Sequence, residues 1–93
     1  MIRREGSRLV VSGAVTLGNA AALLEEGRRH LAEGVQTIDL GEVNEMDSAL
    51  LGVLLAWLRD ARGRERPLSF ANLPESLRTI AQRYGVDGLL HTS

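Results

Sequence analysis

Short apolar runs, bounded by glycine, serine or asparagine, alternate along the chain with longer stretches of helical periodicity. The short runs reach turn-forming residues after only three to six positions, which predicts strands and not helices. The four predicted strands cover residues 9–11, 15–17, 35–40 and 68–71. The polar segment 41–47 after the third strand is predicted to be a loop.

The longer stretches predict three helices. The first begins after Asn19, a favourable N-cap residue, and ends at Gly34; the second covers residues 48–62; the third has Pro74 in its first turn and ends at Gly85. Apolar positions recur at helical spacing in the first helix (Ala20, Leu24, Gly27, Leu31) and in the third (Leu77, Ile80, Ala81, Tyr84), and an apolar tail follows (Val86, Leu89, Leu90).

The predicted order of elements is ββαβαβα. Strand-helix-strand units of this length form parallel strand pairs, because the helix must cross over the sheet. We therefore expect an α/β fold, with residues 1–93 forming one domain that has a mixed, mainly parallel sheet and helices packed on one face.

The second helix has two different faces when its residues are placed at 100° intervals. One face is apolar and predicts core packing; its residues are Leu50, Val53, Leu54, Trp57, Leu58 and Ala61, with Leu51 at the margin. The opposite face is small and weakly charged. It carries Ser48, Gly52, Leu55 and Arg59 in line, flanked by Ala49, Ala56 and Asp60.

The periodicity leaves two interpretations of this second face open. Small residues allow another backbone to come close, while Leu55 and Arg59 supply an apolar contact and a polar rim for a protein partner. Alternatively, Gly52 and Ala56 accommodate the packing of the domain itself. Asp47 is the better candidate for the helix cap, which leaves Ser48 on the first turn of the outward face.

The composition is that of an ordinary globular protein, with 44% hydrophobic and 25% charged residues. The formal net charge of −1 argues against nucleic-acid binding, because phosphate contacts need a concentrated surplus of basic residues. The longest apolar run, residues 49–58, is about half of the ~20 residues that a membrane span requires. We therefore expect a cytoplasmic protein that inserts no segment into a membrane.

Motifs for catalysis and cofactor binding are missing from the sequence. The chain has no cysteine, no P-loop, no GxGxxG and no HExxH. Its two histidines, His30 and His91, belong to no motif that would place them near Ser48, so a catalytic triad would require the fold to bring one of them there by chance. The carboxylates of the segment 41–47 lack the ligand spacing of a calcium loop. The sequence predicts no enzyme, no cofactor and no metal site.

The segment TIDLGEVNEMDSALLGVLLAWLRDA, residues 37–61, resembles the central strand, loop and helix of STAS domains, the family of bacterial anti-sigma factor antagonists. The matching positions are Asp39-Leu40, Met46-Asp47-Ser48 and the run from Leu51 to Leu55, without a gap. The ββαβαβα order agrees over nearly the whole chain. The resemblance implies the STAS fold.

In the antagonist branch of this family, the serine that matches Ser48 is phosphorylated by an anti-sigma kinase, which switches partner binding off. A phosphate at a helix N-terminus is tolerated by the helix dipole but repelled by an acidic partner surface. Here Ala49 and Leu50 replace the Ser-Gly that usually follows that serine. A signalling protein regulated through Ser48 is therefore the alternative interpretation.

A second branch is more similar, namely the stand-alone STAS subunits of the Mla-type ABC transporters that maintain outer-membrane lipid asymmetry. The similarity is marked in FANLPESLRTIAQRYGVDGLL, residues 70–90. It implies a non-enzymatic subunit that binds the cytoplasmic, MlaF-like ATPase and reaches the permease at the inner membrane only through it. The partner-binding residues carried over to this sequence are Asp47, Ser48, Gly52, Leu55, Ala56 and Arg59.

Overall fold

Four strands and three α-helices make up residues 1–90, the part of the chain that the computed structural model describes. In chain order they are β1 (Ile2–Glu5), β2 (Arg8–Val15), α1 (Ala20–Ala32), β3 (Thr37–Met46), α2 (Ala49–Gly63), β4 (Ser69–Ala71) and α3 (Glu75–Arg83), followed by a 3₁₀ turn (Asp87–Leu89). The predicted ββαβαβα order is confirmed.

The strands form one sheet in the order β1-β2-β3-β4. β1 pairs antiparallel with β2, whereas β2 with β3 and β3 with β4 are parallel pairs joined by helical crossovers. The expectation of a mixed, mainly parallel sheet is therefore confirmed. This topology brings the carboxyl ends of β2 and β3 together, next to the start of α2.

The helices pack against one face of the sheet. The core joins helix residues to alternate strand residues, which share a face because side chains alternate along a strand. The strand residues in this core are Leu9 and Val11 of β2, Ile38 and Leu40 of β3, and Phe70 of β4. The opposite face of the sheet carries charged side chains together with the buried Val10.

The first two strands differ from the sequence prediction. Residues 9–11 and Val15 belong to the single strand β2, so a separate strand over 15–17 was wrong. The strand that precedes β2 lies at the N-terminus, and Gly6, with a φ of +64°, lies in the tight turn between them. β1 is an edge strand with mostly exposed arginine and glutamate side chains, so it lacks the apolar alternation from which a strand is predicted.

The predicted loop 41–47 was also wrong over most of its length, because β3 continues to Met46. Its second half pairs with β2 from Ser12↔Glu42 to Val15↔Met46, after irregularities in the register near Gly13. Residues 41–46 are exposed or half-buried, so their polar composition concealed a hydrogen-bonded strand. The longer strand carries Asp47 to the edge of the sheet where α2 begins.

The predicted helices are confirmed, and α1 and α3 are each followed two residues later by a glycine with positive φ, Gly34 and Gly85. Asn19 precedes α1 as expected but does not cap it. Its Oδ1 accepts a hydrogen bond from the Thr16 N–H at 3.0 Å and its Nδ2 donates to the Ala14 carbonyl at 2.8 Å, so it braces the preceding turn.

Two predicted core positions lie elsewhere. In α1 the buried leucines are Leu23 and Leu31, whereas Leu24, predicted to be a core position, is only half-buried. Tyr84, predicted on the apolar stripe of the third helix, is 68% exposed because α3 ends at Arg83 and the chain turns away there. The apolar stripe of α3 is therefore limited to Leu77 and Ala81, with Ile80 half-buried beside them.

Candidate partner-binding surface on helix α2

Asp47 fixes the start of α2 with its side chain. Its Oδ1 accepts the Ala49 N–H at 2.8 Å, which is the bond of an N-cap residue, and its Oδ2 accepts the Leu17 N–H at 3.0 Å. The prediction that Asp47 caps the helix is confirmed. The same carboxylate also ties the loop between β2 and α1 to the start of α2.

Ser48 lies at the first turn of α2 and is exposed. Its backbone is already helical, with a φ of −63° and a ψ of −14°, and its side chain makes no capping hydrogen bond. Since Asp47 supplies the cap, the Ser48 hydroxyl is not needed to begin the helix. It is therefore available to another molecule.

The two faces of α2 predicted from periodicity are confirmed by burial. The seven residues assigned to the core face and its margin are each at most 6% exposed: Leu50, Leu51, Val53, Leu54, Trp57, Leu58 and Ala61. On the outward face Ser48, Gly52 and Arg59 are exposed, and Leu55 and Ala56 are half-buried. The structure therefore brings the sequence-predicted residues together in one stripe along the helix.

The structure distinguishes between the two interpretations of this stripe at Gly52. A methyl group built on Gly52 meets nothing within 4 Å, and its backbone is helical, so neither space nor conformation requires glycine there. By contrast, a methyl group on Gly27 of α1 would come closer than 3.0 Å to the Trp57 indole. Packing of the domain therefore explains Gly27 and does not explain Gly52.

Two open grooves flank Arg59. One, of about 330 Å³, lies between α1 and α2 and is lined by Arg28, Ala56, Arg59, Asp60, Gly63 and Arg64. The other, of about 320 Å³, lies between α2 and the C-terminal turn and is lined by Leu55, Leu58, Arg59, Arg62, Val86 and Leu89. The outward face of α2 is thus the ridge between a polar and an apolar depression.

Sequence reasoning missed several residues that border this surface. Leu17 is 80% exposed and is held beside the helix start by its N–H bond to Asp47. Leu89 is 37% exposed and lines the apolar groove, and Arg28 reaches the polar groove from α1. An exposed apolar residue directly before the Gly18-Asn19 turn could have indicated Leu17, but no local signal relates Arg28 or Leu89 to α2.

The exposed face of the sheet is different, because its charges pair with one another. Arg3 bonds Glu42 at 3.0 Å across β2, and Arg8 bonds Asp39 at 2.8 Å. Asn72 donates its amide to Asp39 at 3.0 Å, and this bond, with help from Arg8, holds the pKa of the Asp39 carboxyl below its usual value. These groups satisfy each other within the domain.

Neither a metal site nor a membrane span is found in the part of the chain that the structure describes. Within residues 1–90, no group of three or more histidine, aspartate or glutamate side chains is placed to hold a metal ion. None of the helices in that range combines the length and the apolar composition that crossing a membrane requires.

Comparisons with known proteins show the family to which the chain belongs. The family model STAS_2, described as "Mlab, STAS domain", matches residues 1–91. The MlaB subunit in the structure of the Acinetobacter MlaFEDB complex in an ATP-bound conformation is 27% identical, with 95% of each chain covered and a TM-score of 0.77. A search of curated protein sequences found no significant match.

Two further solved structures share the fold. A putative anti-sigma factor antagonist from Thermotoga maritima is 15% identical, with 99% of this chain and 83% of that chain covered and a TM-score of 0.77. The anti-sigma factor antagonist SpoIIAA in its unphosphorylated form is 14% identical, with 100% and 86% covered and a TM-score of 0.74. At these identities the similarity extends to the fold alone.

Proposed function

Because the chain belongs to the STAS_2 family of MlaB-type STAS domains, we propose that it is a non-enzymatic accessory subunit that binds and supports the ATPase of an Mla-type ABC phospholipid transporter. The 27% identity to a chain of the MlaFEDB complex, over 95% of both chains, supports this choice among STAS functions. The protein then lies on the cytoplasmic side of the inner membrane, held there by the ATPase and through it by the permease, and contributes to outer-membrane lipid asymmetry.

The observation that carries the proposed binding surface is the open space around Gly52. Glycine within a helix costs about 1 kcal/mol relative to alanine, and nothing inside the domain compensates for it at this position. A partner helix that packs closely over Gly52 and Ala56 would compensate, because a small residue lets two helix axes approach to about 8 Å.

Each residue of the proposed surface has a distinct part in this contact. Ser48 offers its exposed hydroxyl at one end, Leu55 supplies the apolar contact in the middle, and Arg59 supplies a charged contact at the other end. Asp47 acts indirectly, because both of its oxygens already bond backbone N–H groups. It holds Ser48 and Leu17 in the positions from which they meet the partner.

Co-purification with the cognate ATPase tests the proposal. The wild-type chain, co-expressed with the ATPase, is expected to elute with it, whereas Leu55→Asp and Ser48→Glu are expected to lose most of the complex. Ser7→Glu is the matched control for Ser48→Glu, since Ser7 is an exposed serine in the turn between β1 and β2. Ser7→Glu is expected to co-purify at the wild-type level.

Leu55 is half-buried, so its replacement also disturbs the domain. Gly52→Leu provides a second test, because a methyl group at Gly52 meets no other part of the domain within 4 Å and the leucine side chain therefore starts from open space. Thermal unfolding should show Gly52→Leu to be folded while its complex with the ATPase is lost. Full co-purification of all three variants would rule out this face as the interface, and no complex with the wild-type chain would rule out the proposed function.

A second candidate function is that of an anti-sigma factor antagonist regulated by phosphorylation of Ser48. The exposed Ser48 hydroxyl, free of a capping role, favours it. Incubation with a cognate anti-sigma kinase and ATP should then add one phosphate, detected by intact mass, and Ser48→Ala should abolish the addition. An unchanged mass of the wild-type chain would contradict this function.

A further inference from the structure

The groove between α1 and α2 carries more positive than negative charge. Three guanidinium groups, of Arg28, Arg59 and Arg64, line it together with one carboxylate, that of Asp60. The carboxylate of Asp60 forms a long ion pair, with 3.6 Å between its Oδ2 and Nε of Arg64, but that buried oxygen accepts no hydrogen bond within residues 1–90. Within residues 1–90 no acidic side chain forms an ion pair with Arg59. Since Arg28 pairs with Glu25 and Arg64 with Asp60, Arg59 is the guanidinium of this groove that the ion pairs of the described residues leave unused.

Arg28 provides a second, independent observation. Its Nη1 bonds the exposed Glu25 at 2.7 Å, but its Nε is buried and has no hydrogen-bond partner within residues 1–90. A buried N–H without an acceptor costs about 1–3 kcal/mol, so such a group usually donates a hydrogen bond to a protein, water or ligand acceptor. A carboxylate is the acceptor that matches a guanidinium best, since two parallel N–H···O bonds can form.

The groove on the other side of Arg59 is more apolar, although Arg62 also lines it. Leu55, Val86 and Leu89 supply apolar side chains, and Leu89 is 37% exposed. The ridge between the two grooves is the small-residue face of α2. A segment lying along this ridge therefore meets apolar surface on one flank and unpaired arginine on the other, which is the environment of an amphipathic helix.

We infer that the partner element seated on α2 is an amphipathic helix of the ATPase whose acidic flank pairs with Arg28 and Arg59 in the α1–α2 groove. Its apolar flank covers Leu55 and Leu89. The charge distribution also determines where along α2 the acidic side chains of the partner helix lie. They meet the Arg59 end of α2, because the exposed Glu45 would repel them at the end beside Asp47. This inference rests on the proposed function and specifies the chemistry of the partner.

Affinity measurements on the intact chain and the purified ATPase test the inference. Arg28→Glu and Arg59→Glu are each expected to weaken binding about tenfold or more at low salt, because they place a carboxylate opposite a carboxylate. Arg28→Gln, which removes the charge without reversing it, should give a smaller loss. Raising the ionic strength from about 0.05 M to about 0.5 M should weaken the wild-type complex and have much less effect on Arg28→Glu.

Arg29→Glu is the matched control. Arg29 is exposed and follows Arg28 directly, but a rotation of about 100° around α1 separates the two side chains. Its reversal should leave the affinity within about twofold of wild type, a difference well below 1 kcal/mol. Thermal unfolding of each variant establishes that the domain is folded.

The outcomes separate this inference from the proposed function. If the wild-type chain does not bind the ATPase, both are overturned. If Gly52→Leu abolishes binding while Arg28→Glu and Arg59→Glu leave it unchanged, the α2 interface stands and the acidic helix is overturned. If the chain alone forms a dimer that Arg28→Glu dissociates, the occupant of the groove is a second copy of the chain, and the inference is likewise overturned.

Discussion

Helices α1 and α2 each contain a glycine in their interior, and the two glycines lie in opposite environments. At Gly27 the helix is pressed against the indole of Trp57, whereas at Gly52 the surface is open. Both positions carry the same helix-propensity cost of about 1 kcal/mol. The packing of the domain therefore accounts for Gly27 and does not account for Gly52.

The contact at Gly27 leaves no room for a side chain between α1 and the Trp57 indole. Trp57 is fully buried, and its indole Nε1–H donates to the Leu24 carbonyl at 3.0 Å. This bond satisfies the polar group of a large buried side chain and fixes the indole over α1. The α1–α2 interface therefore depends on the absence of a side chain at Gly27, because an added one would overlap the indole.

Gly27→Ala is expected to have the largest effect of the substitutions that probe this comparison. Its methyl group overlaps the indole, and such overpacking costs about 1–3 kcal/mol, which exceeds the gain in helix propensity. Urea denaturation followed by circular dichroism should show a lower free energy of unfolding than wild type. An unchanged or higher value would show that α1 and α2 can separate freely and would remove the distinction between the two glycines.

A double-mutant cycle with Trp57→Phe sharpens that test. The smaller ring leaves room beside α1, so Gly27→Ala should cost less in the Trp57→Phe background than in the wild type. Trp57→Phe also removes the donor to the Leu24 carbonyl, which lowers stability by itself. Additive effects would indicate that the cost at Gly27 arises elsewhere than from the indole.

The core faces were predictable from the sequence, but the contacts between elements were not. Helical periodicity alone assigned Trp57 and Gly27 to apolar stripes, and both are buried. That the indole lies on Gly27 depends on how α1 crosses α2, which no local pattern encodes. The same limit applies to the candidate site: the outward stripe of α2 followed from periodicity, whereas Arg28 and Leu89 reach it from distant segments.

The errors in the strands have a different cause. β1 and the second half of β3 expose most of their side chains, so their composition is polar and resembles that of loops. Backbone hydrogen bonding to β2 makes them strands, and that pairing is a property of the sheet. Period-two alternation reveals a strand only where one face is buried.

Gly52→Ala is expected to have the opposite sign to Gly27→Ala. Its methyl group meets no other part of the domain, so the variant should be more stable by up to about 1 kcal/mol through helix propensity. The same methyl group should weaken the complex with the ATPase if a partner helix packs on this face. Denaturation of the chain alone and titration with the ATPase measure the two effects separately.

Higher stability of Gly52→Ala together with weaker ATPase binding would show that Gly52 lowers the stability of the domain and favours the complex. Higher stability together with unchanged affinity would place the partner elsewhere on the domain. Lower stability would mean that Gly52, like Gly27, is required by the fold, and the comparison between the two glycines would fail.

The exposed face of the sheet provides a third surface for comparison, and it should give the smallest effect. There the Asp39 carboxylate accepts hydrogen bonds from Asn72, from the Gly41 N–H at 2.9 Å and from Arg8, so its pKa is lowered, chiefly by Asn72. A lowered pKa in the folded state stabilises the protein above the unfolded-state pKa of about 4, and this contribution is lost as the pH falls through the folded-state pKa.

Asn72→Gly tests this surface without straining the backbone, because Asn72 has a φ of +56° that glycine adopts freely and alanine does not. Loss of the amide should raise the pKa of Asp39 towards its ordinary value and lower the free energy of unfolding at neutral pH by about 1 kcal/mol. Glycine also loosens the unfolded chain, but that cost is independent of pH. The difference in unfolding free energy between variant and wild type, measured by urea denaturation over a pH series, should therefore narrow as the pH falls below the unfolded-state pKa of about 4 and towards the lowered pKa of Asp39 in the folded wild type. Binding of the ATPase should be unchanged, because the polar groups on this face of the sheet already pair with one another. A difference in unfolding free energy that stays constant with pH would contradict the role of the Asp39 carboxylate. A loss of ATPase binding would contradict the placement of the interface on α2.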